Sequence, residues 1–101
     1  MLQLVAVVLG VSNGLPRRSA PLADPLRRAA TSIPLNIAEG CGRFTLADRA
    51  SFFRIARGSA LECGAALDVV GLLGGAPPTK IEEGKALVKR VVEMLTKLAK
   101  R

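Results

Sequence analysis

The chain has 101 residues, half of them hydrophobic, yet only 3% are aromatic, with no Trp or Tyr, and its formal charge is +7. That length suits a single domain with one core. A core poor in rings must be built from Leu, Val, Ile and Ala. The absence of histidine removes the commonest general base and metal ligand, so most hydrolytic triads are excluded. Two cysteines, Cys41 and Cys63, cannot complete a four-ligand zinc site within one chain. Both sit among small apolar residues at helical spacing and are expected to be reduced, buried packing residues in a cytoplasmic protein.

The first element expected is a helix over residues 2–13, closed by Asn13-Gly14 and Pro16. Its apolarity on all sides implies burial within a bundle or between subunits. MLQLVAVVLGVSNG lacks a basic n-region and falls short of the roughly 20 apolar residues needed to span a bilayer, so no membrane role is expected. GLPRRSAPLA, punctuated by Pro16 and Pro21, reads as a loop.

Asp24-Pro25 then marks a helix start, with aspartate at the N-cap and proline at N1. The second helix is expected to reach about Glu39, with Gly40 available for a left-handed turn. Its apolar series is Leu26, Ala29, Ala30, Ile33, Ile37 and Cys41; Arg28, Ser32, Asn36 and Glu39 lie opposite. Pro34 within its body deletes a hydrogen bond to the Ala30 carbonyl and is expected to kink it.

Thr45-Leu46-Ala47-Asp48 has the form of a capping box, opening a third helix that runs to about Leu73 and is stopped by Gly74-Gly75 and Pro77-Pro78. At 1.5 Å per residue that helix is on the order of 40 Å long. Its small residues Ala56, Ser59, Ala60, Cys63 and Gly64 predict close approach of a neighbouring backbone. Thr79-Lys80-Ile81-Glu82 repeats the capping pattern. The fourth helix then carries a seam of Ile81, Gly84, Val88, Val91, Leu95 and Leu98, with Glu93 and Lys97 paired outside it. No strand alternation competes. The reading is all-α: an antiparallel up-and-down four-helix bundle, with a short first helix and a Pro-kinked second helix.

Charge is unevenly spread. Residues 17–57 hold eight arginines against three acids, a surplus of five, whereas residues 58–101 have a surplus of two. Arginine is favoured for multi-donor contact with phosphate, so Arg43, Arg49, Arg54 and Arg57 are the candidate nucleic-acid-binding residues; the competing reading is solvated charge and ion pairs between subunits. Scarcity of aromatics argues for backbone contacts and strong salt dependence rather than base stacking. Glu39 lacks the partners an active-site acid needs. It is expected, with Asn36, Arg43 and Arg49, to form a structural polar network at the hairpin apex. No constellation supplies nucleophile, base and orienting group, so no enzyme and no cofactor are expected.

LRRAATSIPLNIAEGCGR (residues 26–43) followed by FFRIARGSALE (52–62) resembles the signature of the four-helix-bundle family of 23S rRNA intervening-sequence proteins. Leu15-Pro16 is similar to that family's aromatic-Pro step after helix one. The first helix here is shorter and more apolar than is usual in the family, and residues 71–80 are richer in Gly and Pro. The resemblance implies a left-handed antiparallel bundle assembled as a ring-like homopentamer, without enzymatic activity. Some members are encoded in insertions within 23S rRNA genes. A related branch, the accessory proteins of diversity-generating retroelements, is a basic pentamer that binds a reverse transcriptase and nucleic acid. Two functions follow as expectations: a basic oligomer that binds RNA or DNA through phosphates, or a scaffold that recruits an acidic protein such as a reverse transcriptase.

Overall fold

A computed structural model describes residues 1–100, and the element order is α1 (Leu2–Asn13), a 3-10 helix (Arg17–Leu22), α2 (Ala23–Cys41), α3 (Leu46–Leu72) and α4 (Pro78–Leu98). The bundle is elongated, 45 × 21 × 17 Å. Its core contains Leu4, Val8, Leu26, Ile33, Leu67 and Leu95, all fully buried, and the aromatic Phe53. As the composition requires, aliphatic side chains do nearly all the filling.

The segment expected as a loop before α2 is instead the 3-10 turn, which feeds directly into α2. Leu22 therefore occupies the N-cap position, and Asp24 falls inside the first turn without a side-chain capping bond. There its charge complements the positive end of the helix, and its carboxylate pairs with Arg27 at 3.1 Å. At the other end α2 runs through Pro34 and past Glu39 to Cys41; its C-cap, Gly42, has φ −83°, so no left-handed turn occurs. Gly40 serves packing instead. A Cβ there would stand 2.7 Å from the Phe53 ring and 3.2 Å from the Arg49 carbonyl oxygen. The inward series thus ends with buried Ile33, half-buried Ile37 and buried Gly40, and Cys41, one residue further round the helix, is exposed rather than buried.

Thr45 caps α3, its hydroxyl accepting from the Asp48 amide at 3.1 Å. The helix ends in a Schellman arrangement: Gly74, at φ +67°, lets the Gly75 amide reach the Val70 carbonyl at 2.9 Å and donates its own amide to Gly71 at 3.1 Å. Ala56, Ala60 and Cys63 are fully buried, as their small size predicted. Gly64 takes Val88 at close range, 3.3 Å from where its Cβ would lie, whereas Gly58 faces open space. Burial pushes the Cys63 thiol up to about 11, with a smaller contribution from Glu62.

α4 departs from the expected capping box. Pro78 occupies the first turn, Pro77 precedes it, and no side chain caps the helix. Ile81, Gly84, Val88, Val91 and Leu95 are buried as the seam predicts. Leu98, expected to close that seam, is 45% exposed. The cleft shared by Gln3, Ala6 and Val7 with Glu83, Leu87 and Arg90 shows why: α1 begins level with the middle of α4 and does not reach its C-terminal turns. Glu93 and Lys97 do not pair; the ion pairs among the described residues are Asp24–Arg27, Glu39–Arg43, Lys80–Glu83 and Asp68–Lys85. The last, at 2.8 Å, bridges α3 to α4 and raises the Lys85 pKa through its hydrogen bond.

Candidate functional site

The eight arginines counted between residues 17 and 57 are divided by the length of α2. Arg17, Arg18, Arg27 and Arg28 stand at the end formed by the 3-10 turn and the α3–α4 connection. Arg43, Arg49, Arg54 and Arg57 stand toward the other end, around the α2–α3 loop. The first set is partly consumed by the fold. Arg18 donates from Nε to the Leu73 carbonyl at 3.2 Å and from Nη2 to Gly74 at 3.5 Å, which satisfies carbonyls left over at the end of α3. Arg27 is shared between Asp24 and the Asn13 side-chain oxygen.

Of the second set, Arg43 donates to Glu39 Oε2 at 3.2 Å and lays its guanidinium 4.7 Å from the centre of the Phe52 ring. Arg49 does not meet Glu39, as the sequence led one to expect. Its Nε donates 2.8 Å to the Arg43 carbonyl, tying α3 to the loop. Arg57 is half-buried and donates from Nε to Thr96 Oγ1 at 2.8 Å, binding α3 to α4. Arg54 is exposed and has no ion pair or hydrogen bond among the described residues.

The expected polar network splits in two. Glu39, Arg43 and Arg49 form the loop cluster just described. Asn36 turns away from it and donates to the Ser32 carbonyl at 2.8 Å and to Ser32 Oγ at 2.9 Å. Ser59 Oγ then donates to Ser32 Oγ at 2.8 Å, completing a polar link between α2 and α3. Ser32 and Ser59 lie 27 positions apart; the one available signal was that both occupy sides of their helices adjacent to the apolar series.

Sequence reading placed Lys97 in a pair with Glu93 and did not single out Lys100. Arg57 opposite Thr96, Gly64 opposite Val88, Asp68 opposite Lys85 and Gly71 opposite Ile81 fix an antiparallel register between α3 and α4. That register brings Lys97 and Lys100 to the end that carries Arg54 and Arg57. Both lysines are exposed and make no ion pair among the described residues. The same end displays Phe44, with a side chain wholly in solvent, and Leu46, 70% exposed. Glu39, Asp48 and Glu93 are the acids nearby. Among the described residues no three His, Cys, Asp or Glu side chains are placed to hold a metal ion, and no helix is long and apolar enough to cross a membrane.

No curated protein matches this chain. The sequence pattern of the 23S rRNA-intervening sequence proteins matches residues 1–97, from the first helix to the last turn of the fourth. A match of that extent, on a chain that folds into four helices, places it in the 23S rRNA-intervening sequence protein family.

Proposed function

We propose that this protein is a non-enzymatic, cytoplasmic, basic oligomer that binds nucleic acid, RNA in the first instance, through contacts to phosphate. The observation that carries this reading is the gathering of Arg54, Lys97 and Lys100 at one end of the bundle, with no ion pair among the described residues to neutralise them. Unpaired surface cations at close quarters attract a polyanion, and the attraction comes from counterion release. The family name supports the choice of RNA.

Assembly into a homopentamer, as the family resemblance implies, is part of the proposal. Its support is the apolar surface the single chain leaves in water. Leu2 is 72% exposed and Leu72 89%, and the outward side of α3 carries Leu61, Ala65 and Val69. Two measurements test the reading. Gel shift with a structured RNA over a salt series is expected to show binding that weakens steeply as salt rises. Light scattering is expected to give about five times the 10.6 kDa chain mass. No binding at low salt, or binding indifferent to salt, removes the nucleic-acid reading; a stable monomer removes the assembly.

A further inference from the structure

The geometry points to a base-stacking site at the α2–α3 loop: Phe44 receives an unpaired nucleobase while Arg49 and the neighbouring cations hold the flanking phosphates, which makes single-stranded segments the preferred ligand. This deepens the phosphate-binding reading above and rests on it.

The loop is four residues long, Gly42 to Thr45, and is tied on both sides of Phe44. The Gly42 amide donates to the Ala38 and Glu39 carbonyls, and the Arg43 amide donates to Gly40 at 3.2 Å. The Arg43 carbonyl is held by Arg49 Nε at 2.8 Å, and the Arg43 guanidinium is pinned between Glu39 and the Phe52 ring. Thr45 is fixed as the cap of α3. Amid this bonding the Phe44 side chain is 101% exposed. A fixed backbone that presents a fully solvated ring is the arrangement that stacking on a base uses. The backbone that carries the ring is already held, so binding has to order only the two side-chain torsions of Phe44. Each of the three aromatic residues has a distinct position. Phe53 fills the core against Gly40, Phe52 supports Arg43, and Phe44 is packed on none of the described residues.

Among the described residues Arg49 commits only its Nε, leaving both terminal nitrogens for phosphate. Glu39 and Asp48 offset part of the loop's positive charge, so long-range attraction belongs to Arg54, Lys97 and Lys100, and the loop contributes discrimination. A duplex keeps its bases stacked on one another and offers Phe44 no free face. A lipid surface is the weaker fit, because stable insertion requires a larger apolar area than one ring and Leu46 supply.

The test is fluorescence anisotropy at low salt with an unstructured RNA oligonucleotide and with the corresponding duplex, for the full chain, Phe44→Ala and Phe44→Leu. A side chain with no protein contacts is dispensable for folding, which circular dichroism checks. Phe44→Ala is expected to weaken single-strand binding roughly ten- to a hundredfold, leave duplex binding unchanged, and be poorly rescued by leucine. Unchanged single-strand affinity, equal losses on both ligands, or full rescue by leucine overturns the stacking site while leaving phosphate binding intact. No binding by the unaltered chain overturns both. Phe44-dependent sedimentation with phosphatidylserine vesicles, or a change in light-scattering mass on Phe44→Ala, assigns the ring to a membrane or to a contact between copies and overturns the proposal.

Discussion

At the end of the bundle formed by the 3-10 turn and the α3–α4 connection, Arg18 closes the carbonyls of Leu73 and Gly74, and Arg27 is divided between Asp24 and Asn13. At the opposite end Arg54, Lys97 and Lys100 make no ion pair among the described residues, and Phe44 is fully exposed. Both ends are basic, so net charge does not tell them apart. What separates them is whether main-chain acceptors need the cations. The α3 terminus has orphan carbonyls close to the 3-10 turn, and arginine is spent there on folding. The loop end satisfies its backbone through Thr45, Arg49 and the glycine amides, which frees the remaining cations for a ligand.

Substitutions sharpen this contrast in order of size. Phe53→Ala removes the one ring that fills the core at the loop end against Gly40, and should cost about 3–5 kcal/mol in urea denaturation. Alkaline pH probes the middle of the bundle. Cys63 titrates at about 11 in the fold against 9.0 in the open chain. The folded state favours the thiol, so this contribution is fully present below pH 9 and is lost as pH rises from 9 to 11. It amounts to at most about 2.7 kcal/mol at 1.36 kcal/mol per unit. Cys63→Ala should abolish that part of the pH dependence, and a thiol reagent at neutral pH should label Cys41 alone. Gly40→Ala forces a methyl onto Phe53 and the Arg49 carbonyl and should destabilise by about 1–3 kcal/mol. Arg18→Ala should lower stability by about 1 kcal/mol through its two lost bonds and leave nucleic-acid affinity untouched. Arg54→Ala should do the reverse, changing stability by no more than about 0.5 kcal/mol while weakening binding. Equal behaviour of those last two variants would erase the distinction between the ends.

The helices themselves were largely readable from the chain because three-and-four spacing, Thr45 at a cap and Gly74-Gly75 at a stop are local signals. The misread boundaries have one cause: neighbouring structure competed with a local motif. The 3-10 turn displaced Asp24 from its capping role, Pro78 displaced Thr79 as the start of α4, and the need to seat Phe53 turned Gly40 from a terminator into a packing residue. Those are tertiary effects, and no window of a few residues contains them. The candidate site was half legible. Arg54 was identified by type, but Lys97 and Lys100 join it only through the α3–α4 register, and the Ser32–Ser59 bond links residues that no sequence period relates. Phe44 was passed over because three aromatics in 101 residues looked too few for stacking; their separate placement, not their number, decides what each does.

The most direct measurement is the salt dependence of RNA affinity for the full chain, for Arg54→Ala/Lys97→Ala, and for Arg18→Ala/Arg27→Ala. Each cation that neutralises a phosphate adds about 0.7 to 0.9 to the slope of log affinity against log salt. The account predicts a slope lower by about 1.5 when the loop-end pair is removed, and an unchanged slope when the opposite pair is removed. Equal reductions from both pairs, or none from either, would contradict it.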